Sequence, residues 1–197
     1  MISHEFTAPA FPLKLLLLPG ETHILHIFEP RYRQLVKDCI ENHAHFIMPY
    51  KTPSKFYSFG AELRILEILK MYPDGRMDIL VECVNIFKTT RFSSVLEPKL
   101  YGAVQGHTDD VYNNPIPNDL HEMVVDFLEK TGKGTSYDYF QPNFTLSRAA
   151  NILRLNEEEK LNFILCENKI YFLKNLYRFK LEIIKREKEI GNKFVFN

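Results

Sequence analysis

Phe11-Pro12-Leu13-Lys14-Leu15-Leu16-Leu17-Leu18-Pro19-Gly20, followed by Leu25-His26-Ile27-Phe28-Glu29-Pro30-Arg31-Tyr32, holds most of what the sequence says about the fold. Residues 13–18 are an apolar run interrupted by Lys14, short enough for a buried strand, and Pro19-Gly20 is a turn signal that stops it. Residues 23–28 read as a second strand. Glu29-Pro30 then opens a helix. Proline in the first helical position gives up an amide that has no intrahelical partner, and the glutamate carboxylate suits the positive end of the helix dipole. Tyr32, Leu35, Val36, Cys39 and Ile40 recur at helical spacing and predict a buried face, leaving Arg33, Lys37, Asp38 and Glu41 in water.

Outward from this segment, short apolar runs alternate with turn residues. Residues 45–50, 61–72, 77–88, 91–96 and 100–106 read as strands, with Pro73-Asp74-Gly75-Arg76 as a hairpin connection. The polar, proline-marked residues 113–118 predict a boundary, giving a β-rich subdomain over 1–112 and a helical subdomain over 113–197. In the second half Leu120, Met123, Val124, Phe127 and Leu128 form one stripe, and Gly132 is placed to stop that helix. Residues 146–153 predict a short helix. Asn156 and Glu159 resemble a capping box before a helix that turns Leu161, Ile164 and Leu165 inward. The last helix runs from about 168 to 190, with Phe172, Leu176, Phe179 and Ile183 as its expected buried seam. The fold class is α+β.

In order and spacing, Phe11, Pro12, Leu13, Pro19, Gly20 and the run from Leu25 to Tyr32 resemble the opening of the amino-terminal domain of Lon proteases. Phe59-Gly60-Ala61-Glu62, the turn at 73–76 and Gly191-Asn192-Lys193-Phe194 resemble later landmarks of stand-alone Lon-domain proteins. One departure falls in the strand after that turn: where the family usually has glycine and then arginine, this chain reads Glu82-Cys83-Val84-Asn85-Ile86-Phe87-Lys88. The resemblance implies a PUA-like, partly closed β-barrel with one inserted helix, followed by a helical subdomain ending in a long C-terminal helix. It also implies a non-catalytic module that recognises unfolded or partner polypeptides, an adaptor or holdase-like binder detached from ATPase and peptidase domains.

Composition narrows the partners. Lys+Arg and Asp+Glu are 25 each, so net charge offers no argument for nucleic acid or an anionic membrane. RNA is the rival partner, since PUA-like barrels elsewhere contact RNA and the last helix is basic. The strands lack the aromatic–basic interleaving that would support it. Cys39, Cys83 and Cys166 contain no C-x-x-C pair and predict reduced thiols in a cytoplasmic protein. No run approaches the roughly 18 apolar residues of a membrane helix, and no signal peptide is evident.

Motifs for chemistry fail one by one. Gly132-Lys133-Gly134-Thr135 lacks the upstream glycine of a phosphate loop, and there is no Ser-x-x-Lys pair. His121-Glu122 begins like a metalloprotease helix, but Val125 stands where the second histidine belongs. Cys39, His43 and His45 supply three donors without a fourth. The expectation is therefore no enzyme, no catalytic residue, no cofactor and no metal. Two segments carry surplus aromatics, 52–59 and 136–142. Phe56, Tyr57, Tyr137 and Tyr139 there are candidate peptide-binding residues, because tyrosine and phenylalanine give large contact area at low rotamer cost. The competing reading has Phe59 and Phe140 anchoring these loops to the core. Arg31 is a further candidate, its planar fork suited to carboxylates. Equally, Glu29, Arg31 and Tyr32 could serve only the fold.

Overall fold

The computed structural model describes residues 5–132 and 144–195, with side chains up to residue 187. Two compact units divide the chain, Met1–Tyr112 and Asn113–Asn197. The first carries β1 (Phe6–Ala10), β2 (Thr22–Ile27), α1 (Pro30–Glu41), β3 (Phe46–Lys51), β4 (Phe56–Met71), β5 (Met77–Ser93) and β6 (Gly102–Asp109). The second carries α2 (Asn118–Lys130), α3 (Leu146–Leu153), α4 (Glu157–Leu165) and α5 (Lys169–Val195).

Strand order is β2-β5-β4-β3-β1-β6, and β6 returns to pair with β5. Five strands thus form a ring, though not a regular closed barrel, and β2 stands outside it. The seam is thin. β1 and β3 meet in parallel at Ala10 and Ile47, whereas the other pairs are antiparallel ladders. β5 divides one edge between two partners: residues 77–82 face β2 and residues 86–93 face β6. The switch falls at the buried Cys83, whose amide donates to the Glu21 carbonyl at 2.9 Å and whose carbonyl accepts from Gly20 at 2.7 Å. Residues 82–88, where the sequence departs from the pattern it otherwise resembles, span this junction.

Inside the unit, Tyr32, Leu35, Val36 and Cys39 of α1 share a core with Leu25, Ile27, Leu63, Met77, Ile79 and Val81. Each such side chain removed from water contributes about 1.5–3 kcal/mol before the entropy cost of ordering it. Two expectations for α1 need correction. Ile40 is 39% exposed rather than buried. Asp38 is half-buried rather than wet, accepting hydrogen bonds from Lys99 at 2.8 Å and Tyr101 at 2.7 Å.

The strands differ from the sequence reading in four places. Residues 13–18 form no ladder beyond a bridge from Leu13 to Tyr50, yet Leu16, Leu17 and Leu18 are buried. This run is buried by packing, not by strand pairing. The first true strand is β1, whose Phe-Thr-Ala-Pro-Ala sequence carries little β signal. The expected strands 77–88 and 91–96 are one, with a register shift between Thr89 and Arg91. Residues 56–59, read as a loop, belong to β4.

In the second unit α4 begins with the expected capping box, Asn156 and Glu159 bonding reciprocally at 2.9 Å. Phe163 is its buried residue, and Leu165 is exposed. The seam of α5 is shifted by one residue, to Leu173 and Tyr177, both fully buried, while Phe179 is 62% exposed. Tyr177 settles that choice: its hydroxyl donates to the Ala149 carbonyl at 2.6 Å and its ring meets Phe127 edge-on at 5.4 Å.

Candidate functional site

β3 leaves β4 at Leu63 and β6 leaves β5 at Ile86, so β2, β5 and the far half of β4 continue alone as a three-stranded arm. One face of the arm packs under α1. The alternation of β4 changes there. Register shifts at Leu66 and Leu69 make Ile65, Ile68 and Met71 the partners of Val81, Ile79 and Met77, which puts them on the α1 face at every third residue.

Between α1 and this half of β4 lies an open groove of about 560 Å³, lined by Val36, Ile40, Ile68, Met71 and Met77, with Pro30, Arg33, Lys37 and Glu41 around them. Met71 is 60% exposed. At the hairpin end the Arg33 guanidinium donates to the Asp74 carbonyl at 2.7 Å, beside Gly75, whose φ of +83° suits a residue without a side chain. Lys37 and Glu41 stand 3.8 Å apart on the outer turn of α1. An apolar floor with charges of both signs at its margin can hold apolar side chains without selecting strongly for charge.

Of the sequence-derived candidates, the described ones, Arg31, Phe56 and Tyr57, do not line this groove. Arg31 bonds the Glu29 carboxylate through Nε at 2.8 Å and Nη2 at 2.7 Å, and its guanidinium sits 4.5 Å over the Tyr32 ring. Tyr32 in turn stacks on Phe11 at 3.9 Å. Phe56, at the opposite end of β4 from the groove, packs on Phe92 at 4.7 Å. Tyr57 packs against Tyr50 at 4.9 Å and Phe59 at 5.4 Å, with the Lys55 ammonium 4.5 Å over its ring. Tyr137 and Tyr139 lie outside the described residues. The groove residues Ile68 and Met71 were missed because strand reading assumes a period of two, and Ile40 because helical periodicity assigns it to the buried face of α1. The signal was the three-residue spacing in Ile65-Leu66-Glu67-Ile68-Leu69-Lys70-Met71.

Among the described residues the cysteine thiols are not activated as nucleophiles. Burial pushes the Cys39 thiol up to about 12 and raises Cys83 further, so both stay protonated. On the arm's other face Asp78 pairs with His26 at 2.5 Å and accepts from Tyr72 at 2.9 Å, and these bonds, the His26 one first, hold its carboxyl below the usual range. Among the described residues no group of three or more His, Cys, Asp or Glu is placed to hold a metal ion. Nor, among them, is any helix long and apolar enough to cross a membrane.

The model of the ATP-dependent protease La (LON) substrate-binding domain matches residues 7–168, and the chain belongs to that family. Among solved structures, a Lon N-terminal domain protein from Xanthomonas campestris superposes with a TM-score of 0.64 at 24% identity, covering 87% of this chain and 96% of that one. The N-terminal domain of the Mycobacterium avium complex Lon protease superposes with a TM-score of 0.60 at 12% identity over the same shares. At these identities the likeness establishes the fold. No curated protein matches the chain.

Proposed function

We propose that this chain is a non-catalytic polypeptide-binding module that holds unfolded or partner segments in the groove between α1 and the β4–β5 arm. The observation that carries this reading is the gathering of exposed Ile40, Ile68 and Met71 in one groove of a domain whose family is named for substrate binding. Methionine is unbranched and repacks around varied side chains, so Met71 and Met77 suit the groove to a binder of many sequences. Phe56 and Tyr57 offer a second, half-buried aromatic surface that can add contact area, and Arg31 is held in its ion pair with Glu29. Free, buried Cys39 and Cys83 support a reducing, cytoplasmic setting.

The test is binding of a permanently unfolded, alkylated polypeptide to the wild type and to Ile68→Asp, followed by fluorescence anisotropy. Ile68 is partly exposed, so the variant should fold and bind at least about tenfold more weakly. Unchanged affinity in a folded Ile68→Asp protein would remove the groove from the account.

A further inference from the structure

The two edges of the three-stranded arm are treated in opposite ways. Along its free half, β4 is broken by register shifts at Leu66 and Leu69 and carries Arg64, Glu67 and Lys70. Bulges and charges of this kind are how natural edges are kept from pairing. β2 has none of these devices. All six of its residues, Thr22–Ile27, pair with residues 77–82 without a register shift, and they include no proline, lysine, arginine or acidic residue. The sheet order ends at β2, and its backbone makes no hydrogen bond beyond β5 among the described residues. On the face away from α1, Ile24 is 57% exposed and Phe28, just past the strand, 58%.

We infer that the outer edge of β2 takes an extended segment of a client polypeptide as an added strand, a second contact that rests on the polypeptide-binding reading. A row of amides and carbonyls at strand spacing, solvated in the free chain, is matched in full by another extended backbone. Main-chain pairing also tolerates varied sequence, while Ile24 and Phe28 offer apolar surface to alternate side chains of the guest. Six residues span about 20 Å. A ladder of that length covers far less than the roughly 1,200 Å² of a stable protein–protein interface, so the edge suits a weakly held client rather than a second copy of this chain.

The probe is a lysine-flanked peptide of alternating threonine and valine, compared with the same peptide N-methylated at every backbone nitrogen. The unmodified peptide should bind and slow amide exchange in β2. The methylated one, with identical side chains but no amide donors, should bind at least about tenfold more weakly. Ile24→Lys, at an exposed position, should weaken the unmodified peptide while leaving the melting temperature unchanged. Equal binding of both peptides, or slowed exchange confined to residues around Ile40 and Ile68, overturns the edge inference alone. So does protection of β2 that grows with protein concentration in the absence of peptide, which would mark a second copy. Failure to bind either the peptide or an alkylated polypeptide overturns the polypeptide-binding reading with it.

Discussion

Phe11 and Tyr32, the first and last residues of the opening signature, stack on each other at 3.9 Å, so the motif closes on itself in space. Glu29 holds Arg31 over the same tyrosine. Phe11→Ala or Tyr32→Ala should therefore cost about 3–5 kcal/mol in urea unfolding, whereas Arg31→Ala, an exposed pair, should cost less than about 1 kcal/mol. Asp38 gives a pH-dependent test. Hydrogen bonds from Lys99 and then Tyr101 hold its carboxyl below the ordinary value of 3.8. The folded state thus binds this proton less readily than the unfolded chain. Its contribution is complete above the ordinary value and is lost as pH falls through the lower folded one. Asp38→Asn should melt below the wild type at pH 7, and the gap should narrow as the pH drops under 3.8. Helical periodicity placed Asp38 in water because it sees only neighbours on the same helix, and Lys99 and Tyr101 arrive from 61 and 63 residues away.

Elements set by local chemistry were legible and elements set by long-range packing were not. Pro30 at a helix start, the turn at 73–76 and the Asn156–Glu159 box each carry their signal within a few residues, and each stands where the sequence put it. Asn156→Ala should accordingly lower stability by about 1 kcal/mol in thermal or urea unfolding. The seam of α5 was misread because apolar residues occur on several of its faces, so periodicity alone could not separate Phe172 and Leu176 from Leu173 and Tyr177. The ring depends on close approach of β6 to β5. A Cβ at Gly106 would run into the Lys88 carbonyl and the Phe87 ring. Gly106→Ala should cost roughly 1–3 kcal/mol by forcing those strands apart. In β4 the two register shifts do the opposite of harm: they carry Ile68 and Met71 to the α1 face, where a regular strand would have sent one of them away.

For the whole molecule, zero net charge and an apolar groove lead to one expectation about how binding is driven. Affinity for unfolded polypeptide should change less than about threefold between low and moderate salt, whereas charge-driven RNA binding would fall by orders of magnitude over that range. The most direct measurement is a methyl NMR titration of the intact chain with an alkylated, permanently unfolded polypeptide. The methyls of Ile40, Ile68 and Met71 should shift first and saturate together, with the same midpoint at low and moderate salt. Shifts confined to the neighbourhood of Lys185 and Arg186 on α5, with a midpoint that moves steeply with salt, would contradict it.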